Sequence, residues 1–297
     1  MVNDANLTCR QADALKVCTA VPHQNSTNCS ILITNPNCPL ASGRALRYAG
    51  DMPEMPPTDA PCGVLLIDKD PGFTSHNAVA LCRRILNFKK IGHCGTLDPM
   101  ATGMLIVVIG KATKVQDLLM GEDKVYTATM KLGIETNSQD ADGQVVAEKP
   151  TDGIAEADIR AAFEHFRGAF EQVPPMYSAI KINGVPCYKL ARKGQEIERK
   201  SRSVAVLDYS ITRIDLAAAE VDFTVHCTKG FYVRTYAHDI GQRLGCGAHL
   251  TALRRIRSGK FDVAQAIDVP TLKAAGREEL LARLLPLEQV LADRQEA

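Results

Sequence analysis

One carboxylate, Asp98, sits inside Gly92-His93-Cys94-Gly95-Thr96-Leu97-Asp98-Pro99-Met100-Ala101-Thr102-Gly103, a run holding three glycines and one proline. Glycine reaches positive φ without a Cβ clash and proline fixes its own φ, so this composition specifies a tightly folded loop. The apolar run Met104-Leu105-Ile106-Val107-Val108-Ile109 follows directly and reads as a buried strand that anchors the loop on one side. A carboxylate held in this way keeps its position while a bulky substrate is brought to it. An isolated Leu-Asp-Pro is more simply an Asx-turn, its side chain hydrogen-bonded to amides of its own loop.

The longer pattern Gly-His-x-Gly-Thr-Leu-Asp-Pro-x-Ala-Thr-Gly resembles the signature of the TruB family of RNA pseudouridine synthases. The resemblance spans roughly residues 62–268. It includes Gly63-Val64-Leu65-Leu66-Ile67-Asp68-Lys69, Asp140-Ala141-Asp142-Gly143 and Pro175-Met176-Tyr177-Ser178-Ala179. Further on it takes in Thr228-Lys229-Gly230-Phe231-Tyr232-Val233-Arg234-Thr235, Leu244-Gly245-Cys246-Gly247-Ala248-His249 and Leu253-Arg254-Arg255. What it implies is an isomerase that converts the uridine at position 55 of the tRNA T loop into its C-glycoside isomer, with no metal or organic cofactor. A uridine inside a folded T loop must be everted to be reached, at a cost of a few kcal/mol that stacking and phosphate contacts offset.

By the same resemblance Asp98 is the essential aspartate, Arg234 the arginine that pairs with it, and Tyr126 the tyrosine that packs on the target base and is implicated in removing the C5 proton. Tyr232 and Leu253 match residues bordering the flipped uracil, and His93 matches the histidine that fills the vacated stack. Lys69 is expected to order the strand end near the site or to touch backbone. The residue types alone admit plainer roles: a phosphate contact for Arg234, and core packing for Tyr126, Tyr232 and Leu253. Whether the carboxylate adds to the base, attacks C1′ or accepts a proton is left open. The implied fold is the pseudouridine-synthase type, an α/β (α+β) domain with a mixed, largely antiparallel central sheet flanked by helices and a central RNA-binding cleft.

The elements that must position these residues can be read from periodicity. Residues 63–69 form a strand, Pro71-Gly72 turns the chain, and a helix capped by Thr74 or Ser75 follows, with Val79, Cys82, Ile85 and Leu86 on one face. A further helix is expected near 112–120. Across 124–133, Tyr126, Ala128, Met130 and Leu132 alternate with polar positions, which puts Tyr126 on the inner face of a strand. Residues 152–170 look helical, whereas 174–202 is a loop-rich basic insertion suited to closing over RNA. Strands near 204–214 and 220–227 follow, the second turning Val221, Phe223, Val225 and Cys227 inward. Phe231-Tyr232-Val233-Arg234 reads as extended, with Tyr232 and Arg234 on a common face, and a helix is expected over 235–244. Residues 270–297 read as one or two short leucine-rich helices.

With 297 residues, 45% hydrophobic, 23% charged and a net charge of +1, the totals describe an ordinary globular protein and do not announce nucleic acid. The distribution does. Residues 179–202 hold seven Lys/Arg against Glu196 and Glu198, and 224–260 hold seven against Asp239 alone. The counterweight lies in 115–171, with twelve acidic and five basic residues. Segregated basic segments can line a phosphate-binding cleft, although such runs often simply face solvent. The ten cysteines show no Cys-x-x-Cys or Cys/His ligand spacing, so no metal is expected; Cys62, Cys82, Cys94, Cys187, Cys227 and Cys246 read as small buried apolar residues. No apolar stretch is long enough to span a membrane and no signal sequence opens the chain, which makes a reducing cytoplasm the expected compartment.

Residues 1–61, rich in Asn, Thr, Pro and Ala, read as a flexible extension, and translation in the cell could begin at Met52 or Met55. The domains expected are that extension, a catalytic domain over 62–268 and a short helical tail over 269–297. Two departures from the family pattern stand out. Its Asp-Lys-Pro-x-Gly is here Asp68-Lys69-Asp70-Pro71-Gly72, with proline displaced by one position. The tail is also too short for a complete C-terminal PUA domain, so weaker tRNA affinity with retained chemistry is expected. The partner implied is the tRNA T-arm stem-loop, bound by a monomer. Two other functions fit the scaffold: a non-catalytic RNA-binding or RNA-folding protein, and the catalytic subunit of a guide-RNA pseudouridylation particle. The Met100-Ala101-Thr102-Gly103 continuation and the 174–202 insertion favour the stand-alone enzyme.

Overall fold

Alternation of apolar and polar residues with period two builds the sheet on which the site is mounted. The computed structural model describes residues 60–182 and 184–292, within a unit bounded by Asp59–Ala297. The extension expected over 1–61 therefore lies, but for its last two residues, outside the described residues. Ten strands form the sheet: β1 (Gly63–Lys69), β2 (Ile91–His93), β3 (Thr102–Ile109), β4 (Lys124–Leu132), β5 (Gly168–Gln172), β6 (Arg202–Asp215), β7 (Glu220–Cys227), β8 (Ala248–Ser258), β9 (Phe261–Asp262) and β10 (Ile267–Asp268). Across it the order is β10-β1-β3-β8-β4-β7-β6-β5, with β2 paired to β3 and β9 to β8. Only β1 with β10 and β3 with β8 run parallel, so the sheet is mixed and largely antiparallel, as expected.

Three longer helices cover one face: α1 (Ser75–Leu86), α2 (Glu156–His165) and α3 (Val233–Leu244). Thr74 caps α1 by accepting from the Asn77 amide at 3.1 Å, and the left-handed Asn87 ends it. Val79 and Cys82 of α1, Phe163 of α2 and Ile240 of α3 join the inward residues of β4 and β7 in one core. Burying each such side chain contributes about 1.5–3 kcal/mol. The opposite face of β1 and β3 carries a second cluster around Val64, Leu66, Met104, Ile106 and Val108, closed in part by Val290. Both strands are thus buried on two faces, which is why their sequences are unbroken apolar runs.

Three expectations need correction. The helix foreseen over 152–170 is confined to Glu156–His165; Gly168, at φ +79°, turns the chain into the edge strand β5. The one foreseen near 112–120 opens as a 3-10 turn, Gly110–Val115, with α-helix only over Gln116–Met120. Residues 231–234 are not a continuing strand: Gly230, at φ +79°, turns the chain, Tyr232 is the extended cap, and Val233 and Arg234 are already in the first turn of α3. Buried Val233, Tyr236, Ala237 and Ile240 recur at helical spacing, and that period wins over the short aromatic run. Within 174–202 lie a hairpin, Lys181–Ile182 with Val185–Pro186, and the short helix Cys187–Ala191; Ser178 and Cys187 are buried, so the insertion is anchored at its base. Beyond the sheet, Val269–Ala274, Arg277–Ala282 and Leu287–Ala292 are short helices that bury Leu272, Leu280 and Val290.

Two groups on α3 yield tests of stability. Tyr236 is fully buried among Phe163, Phe166, Phe223 and Phe231, and its hydroxyl has no hydrogen-bond partner. Removing an unsatisfied buried hydroxyl relieves its desolvation, so Tyr236→Phe is expected to be more stable by about 1 kcal/mol. A urea midpoint below that of the wild type would refute this. Burial alone pushes the Asp239 carboxyl up to about 6. An acid whose folded pKa is raised lends stability that is fully present below its unfolded value of about 3.9 and is lost as pH rises through the folded one. Asp239→Asn should therefore melt with the wild type at low pH and above it at neutral pH, as read from thermal scans across that window.

Candidate active site

Hydrogen bonds from neighbouring elements clamp the Asp98 loop between β2 and β3. The Ser75 hydroxyl accepts from the Leu97 amide at 3.0 Å and donates to the Leu97 carbonyl at 3.2 Å. The Lys69 ammonium, wholly buried beneath the loop, donates to the carbonyls of Asp70 at 2.9 Å and Pro99 at 3.2 Å. The Gly72 amide also donates to Pro99, at 2.8 Å. Proline displaced to position 71 thus leaves both Lys69 and Gly72 engaged with the loop. Gly103, at φ +97°, lets β3 pass the Arg255 backbone so closely that any Cβ would collide with it. With its backbone held by these partners, the loop does not use the Asp98 carboxylate for its own turn, and that group is free to face outward.

Its partner is Arg234. The Arg234 Nε donates to Asp98 Oδ2 at 2.9 Å, one terminal nitrogen donates to the Ser138 carbonyl at 2.6 Å, and the other to the Tyr177 carbonyl at 2.7 Å. Asp140 Oδ2 stands 3.5 Å from the same Nε. The guanidinium is 3% exposed and the Asp98 side chain 33%, so the arginine is the fixed member and the carboxylate the one presented to the cleft. Because Arg234 lies in the first turn of α3, its reach is set by a helix packed on the core, which defines the Asp98 rotamer rigidly. Burial pushes the Asp140 carboxyl up despite a hydrogen bond from Ser138 and the charge of Arg234.

Asp98 and Arg234 stand on the wall shared by two chambers. The narrower, of about 340 Å³, is closed by Tyr126, Tyr232, Leu253, Lys124 and Arg255. The wider, of about 890 Å³, runs past His76, Asn137, Asp140, Tyr188 and Arg192 and so includes part of the 174–202 insertion. Of the residues expected from sequence, Asp98, Tyr126, Tyr232, Arg234 and Leu253 meet at the narrower chamber. Lys69 and His93 line neither chamber. Lys69 supports the loop from below, and His93 lies edge-on to His76 at 5.8 Å with its Nδ1 buried and unpartnered. Burial is the main force moving several of these groups: Tyr126 and Tyr232 upward, His93 downward, and Lys69 and Lys124 down to about 8.

Three residues of the site were not singled out from the sequence. Asp140 stood inside a quoted segment, but only the fold shows that it shares Arg234 with Asp98. Lys124 and Arg255 are among the few buried charged residues, at 7% and 1% exposure. Their signal was available in part: on strands β4 and β8 each falls on the inward face that carries apolar residues elsewhere, and a cation there marks a site. Among the described residues no group of three or more His, Cys, Asp or Glu side chains is arranged to hold a metal ion.

A presented carboxylate locked by a buried guanidinium, beside a chamber walled by two tyrosines, is an arrangement that can do covalent or proton-transfer work on a planar ring. Comparison with known proteins gives the class its family. Residues 83–233 match the model of the TruB family pseudouridylate synthase (N terminal domain), and residues 234–292 match the tRNA pseudouridylate synthase B C-terminal domain. A tRNA pseudouridine synthase B of Opitutus terrae is 53% identical over 227 residues, covering 76% of this chain and 93% of the relative. That of Syntrophotalea carbinolica is 45% identical over 231 residues, 78% of this chain and 75% of the relative. Among solved structures, a chain from a Cbf5-Nop10-Gar1 complex superposes with a TM-score of 0.58 at 31% identity, over 78% of this chain and 62% of that one. The chain belongs to the TruB family of pseudouridylate synthases.

Proposed function

We propose that this protein isomerises uridine 55 in the T loop of tRNA to pseudouridine, with Asp98 as the reacting carboxylate, Arg234 as its positioning partner and Tyr126 beside the base. The observation that carries the reading is the Asp98–Arg234 pair at 2.9 Å, buried on the arginine side and open to a chamber on the carboxylate side. Isomerisation needs one bond, N1–C1′, to break and another, C5–C1′, to form while the detached uracil turns in place. The reaction is internal and redox-neutral, so a fixed carboxylate and a close-fitting aromatic pocket supply what it asks, with neither metal nor organic cofactor. In this reading Tyr126 and Leu253, which line the chamber, sandwich or border the ring, Tyr232 closes it, and Lys69, bonded to the Pro99 carbonyl, keeps the Asp98 loop in position. His76 lines the wider chamber and lies edge-on to His93 at 5.8 Å, and on the same reading His93 takes up the gap that an everted nucleotide leaves in its stack.

Support for tRNA as the substrate comes from the names of the relatives and from the cations of 174–202, where Arg192 borders the wider chamber and stacks on Tyr188 at 5.5 Å. In this reading the T-arm stem-loop lies along the wider chamber and uridine enters the narrower one, bound by a monomeric protein in the cytoplasm. Residues 62–268 carry the chemistry, and the short helices beyond them add Leu272 and Leu280 to one core and Val290 to the other. No helix among the described residues is long and apolar enough to cross a membrane. The test is release of tritium from a T-loop RNA labelled at C5 of uridine, followed by mapping of the product nucleotide. Modification at position 55 without any guide RNA is expected; no release with intact tRNA, or modification elsewhere only, would end the proposal.

A further inference from the structure

The narrower chamber is lined by a carboxylate and its arginine, and also by two buried cations that no catalytic role yet uses. Arg255 is 1% exposed and lies directly across from Tyr126 in the pairing of β8 with β4. Its Nε donates to the Met104 carbonyl at 2.7 Å and a terminal nitrogen reaches the Gly95 carbonyl at 3.3 Å. Lys124, 7% exposed, donates to the carbonyls of Met120, at 2.8 Å, and Glu122. Among the described residues neither cation forms an ion pair with a carboxylate, in contrast to Arg234 and Arg254, which do. A buried charge without a counter-charge is costly unless something else completes it.

The reaction supplies such a charge. When N1–C1′ breaks, its electron pair stays on the pyrimidine and spreads over N1, O2 and O4. The sugar either bonds to the carboxylate or gives it a neighbouring proton. The turned anion then attacks C1′ through C5, the carboxylate is released or returns its proton, C5 loses its hydrogen as a proton and N1 gains one.

We propose that Arg255, assisted by Lys124, is an electrostatic catalytic residue that stabilises the negative charge of the detached pyrimidine. The inference rests on the function proposed above. Fixed, desolvated positive charge aimed at where negative charge develops is the arrangement that lowers such a barrier most. Burial holds Lys124 down to about 8, and the neighbouring charge of Arg255 adds to it in the same direction.

The test compares the wild type with Arg255→Gln and Arg255→Lys in single turnovers, on T-loop RNA carrying uridine or 5-fluorouridine at the target position. Loss of the original N-glycoside is followed after digestion, and RNA affinity by filter binding. Fluorine withdraws electron density and makes the pyrimidine a better leaving group. On uridine RNA the Gln variant is expected to lose about 10²–10³ in rate, the Lys variant about tenfold, with affinity within about threefold of the wild type. On 5-fluorouridine RNA the deficit of each variant should shrink by at least about tenfold for Gln. A deficit equal on both substrates would make Arg255 a structural residue and overturn the proposal, as would an undiminished rate. Should Gln fail to fold, the Lys variant decides by the same comparison, and failure of both to fold assigns the residue to the core. A wild type inactive on uridine RNA would remove the function itself, an outcome visible in that arm alone.

Discussion

Asp98→Asn is expected to abolish pseudouridine formation, by about 10⁴-fold or more in kcat, while the protein folds and binds RNA. The substitution keeps the shape of the side chain and its contact with Arg234, and removes only the charge and the basic, nucleophilic oxygen. The loop does not depend on that carboxylate: its backbone is secured by Ser75, Lys69 and Gly72. A melting temperature within a few degrees of the wild type, unchanged RNA affinity and absent tritium release would together show that the group acts in the chemistry. Activity above about one per cent of the wild type would remove Asp98 from the reaction. An Asn variant that is inactive because it is unfolded would instead make the carboxylate a structural group.

Arg234→Met is expected to damage both stability and rate. The guanidinium satisfies Asp98, the carbonyls of Ser138 and Tyr177, and the nearby Asp140 at once. Taking it away leaves two carbonyls without their donor and the buried Asp140 without its nearby counter-charge, for which about 3–5 kcal/mol of destabilisation is expected. The rate should fall by about 10²–10³ or more, because the Asp98 rotamer is no longer set. Arg234→Lys separates the effects: it keeps a charge but has one point donor where a planar fork served several acceptors. Stability partly restored with the rate still depressed is the expected pattern for Lys. Full recovery of rate by Lys would show that charge alone, and not the fork geometry, is required.

How far the sequence reached can be judged from particular residues. The Asp98 loop was legible because glycine and proline constrain backbone locally, β1 and β3 because they are unbroken apolar runs, and β4 and β7 because their period of two survives without knowledge of neighbours. The start of α3 was not: Phe231-Tyr232-Val233-Arg234 has strand-like composition, and only burial of Val233 together with Tyr236, Ala237 and Ile240 commits it to helix. The short β5 was missed for a similar reason, since Gly168 turns the chain beyond α2 by a backbone conformation that composition alone does not announce.

What the amino-acid order determined by itself was the candidate carboxylate and its immediate cradle, a loop whose shape is written in nearest-neighbour sterics. The resemblance also assigned it Arg234, 136 positions away. Only the tertiary structure decided that this arginine also stands 3.5 Å from Asp140, that Lys69 supports the loop from beneath, and that Arg255 and Lys124 are buried cations lining the same chamber. The reason is that charge matters by distance and burial, quantities set by how β4, β8 and α3 pack together, whereas loop shape depends mainly on each residue's own backbone freedom.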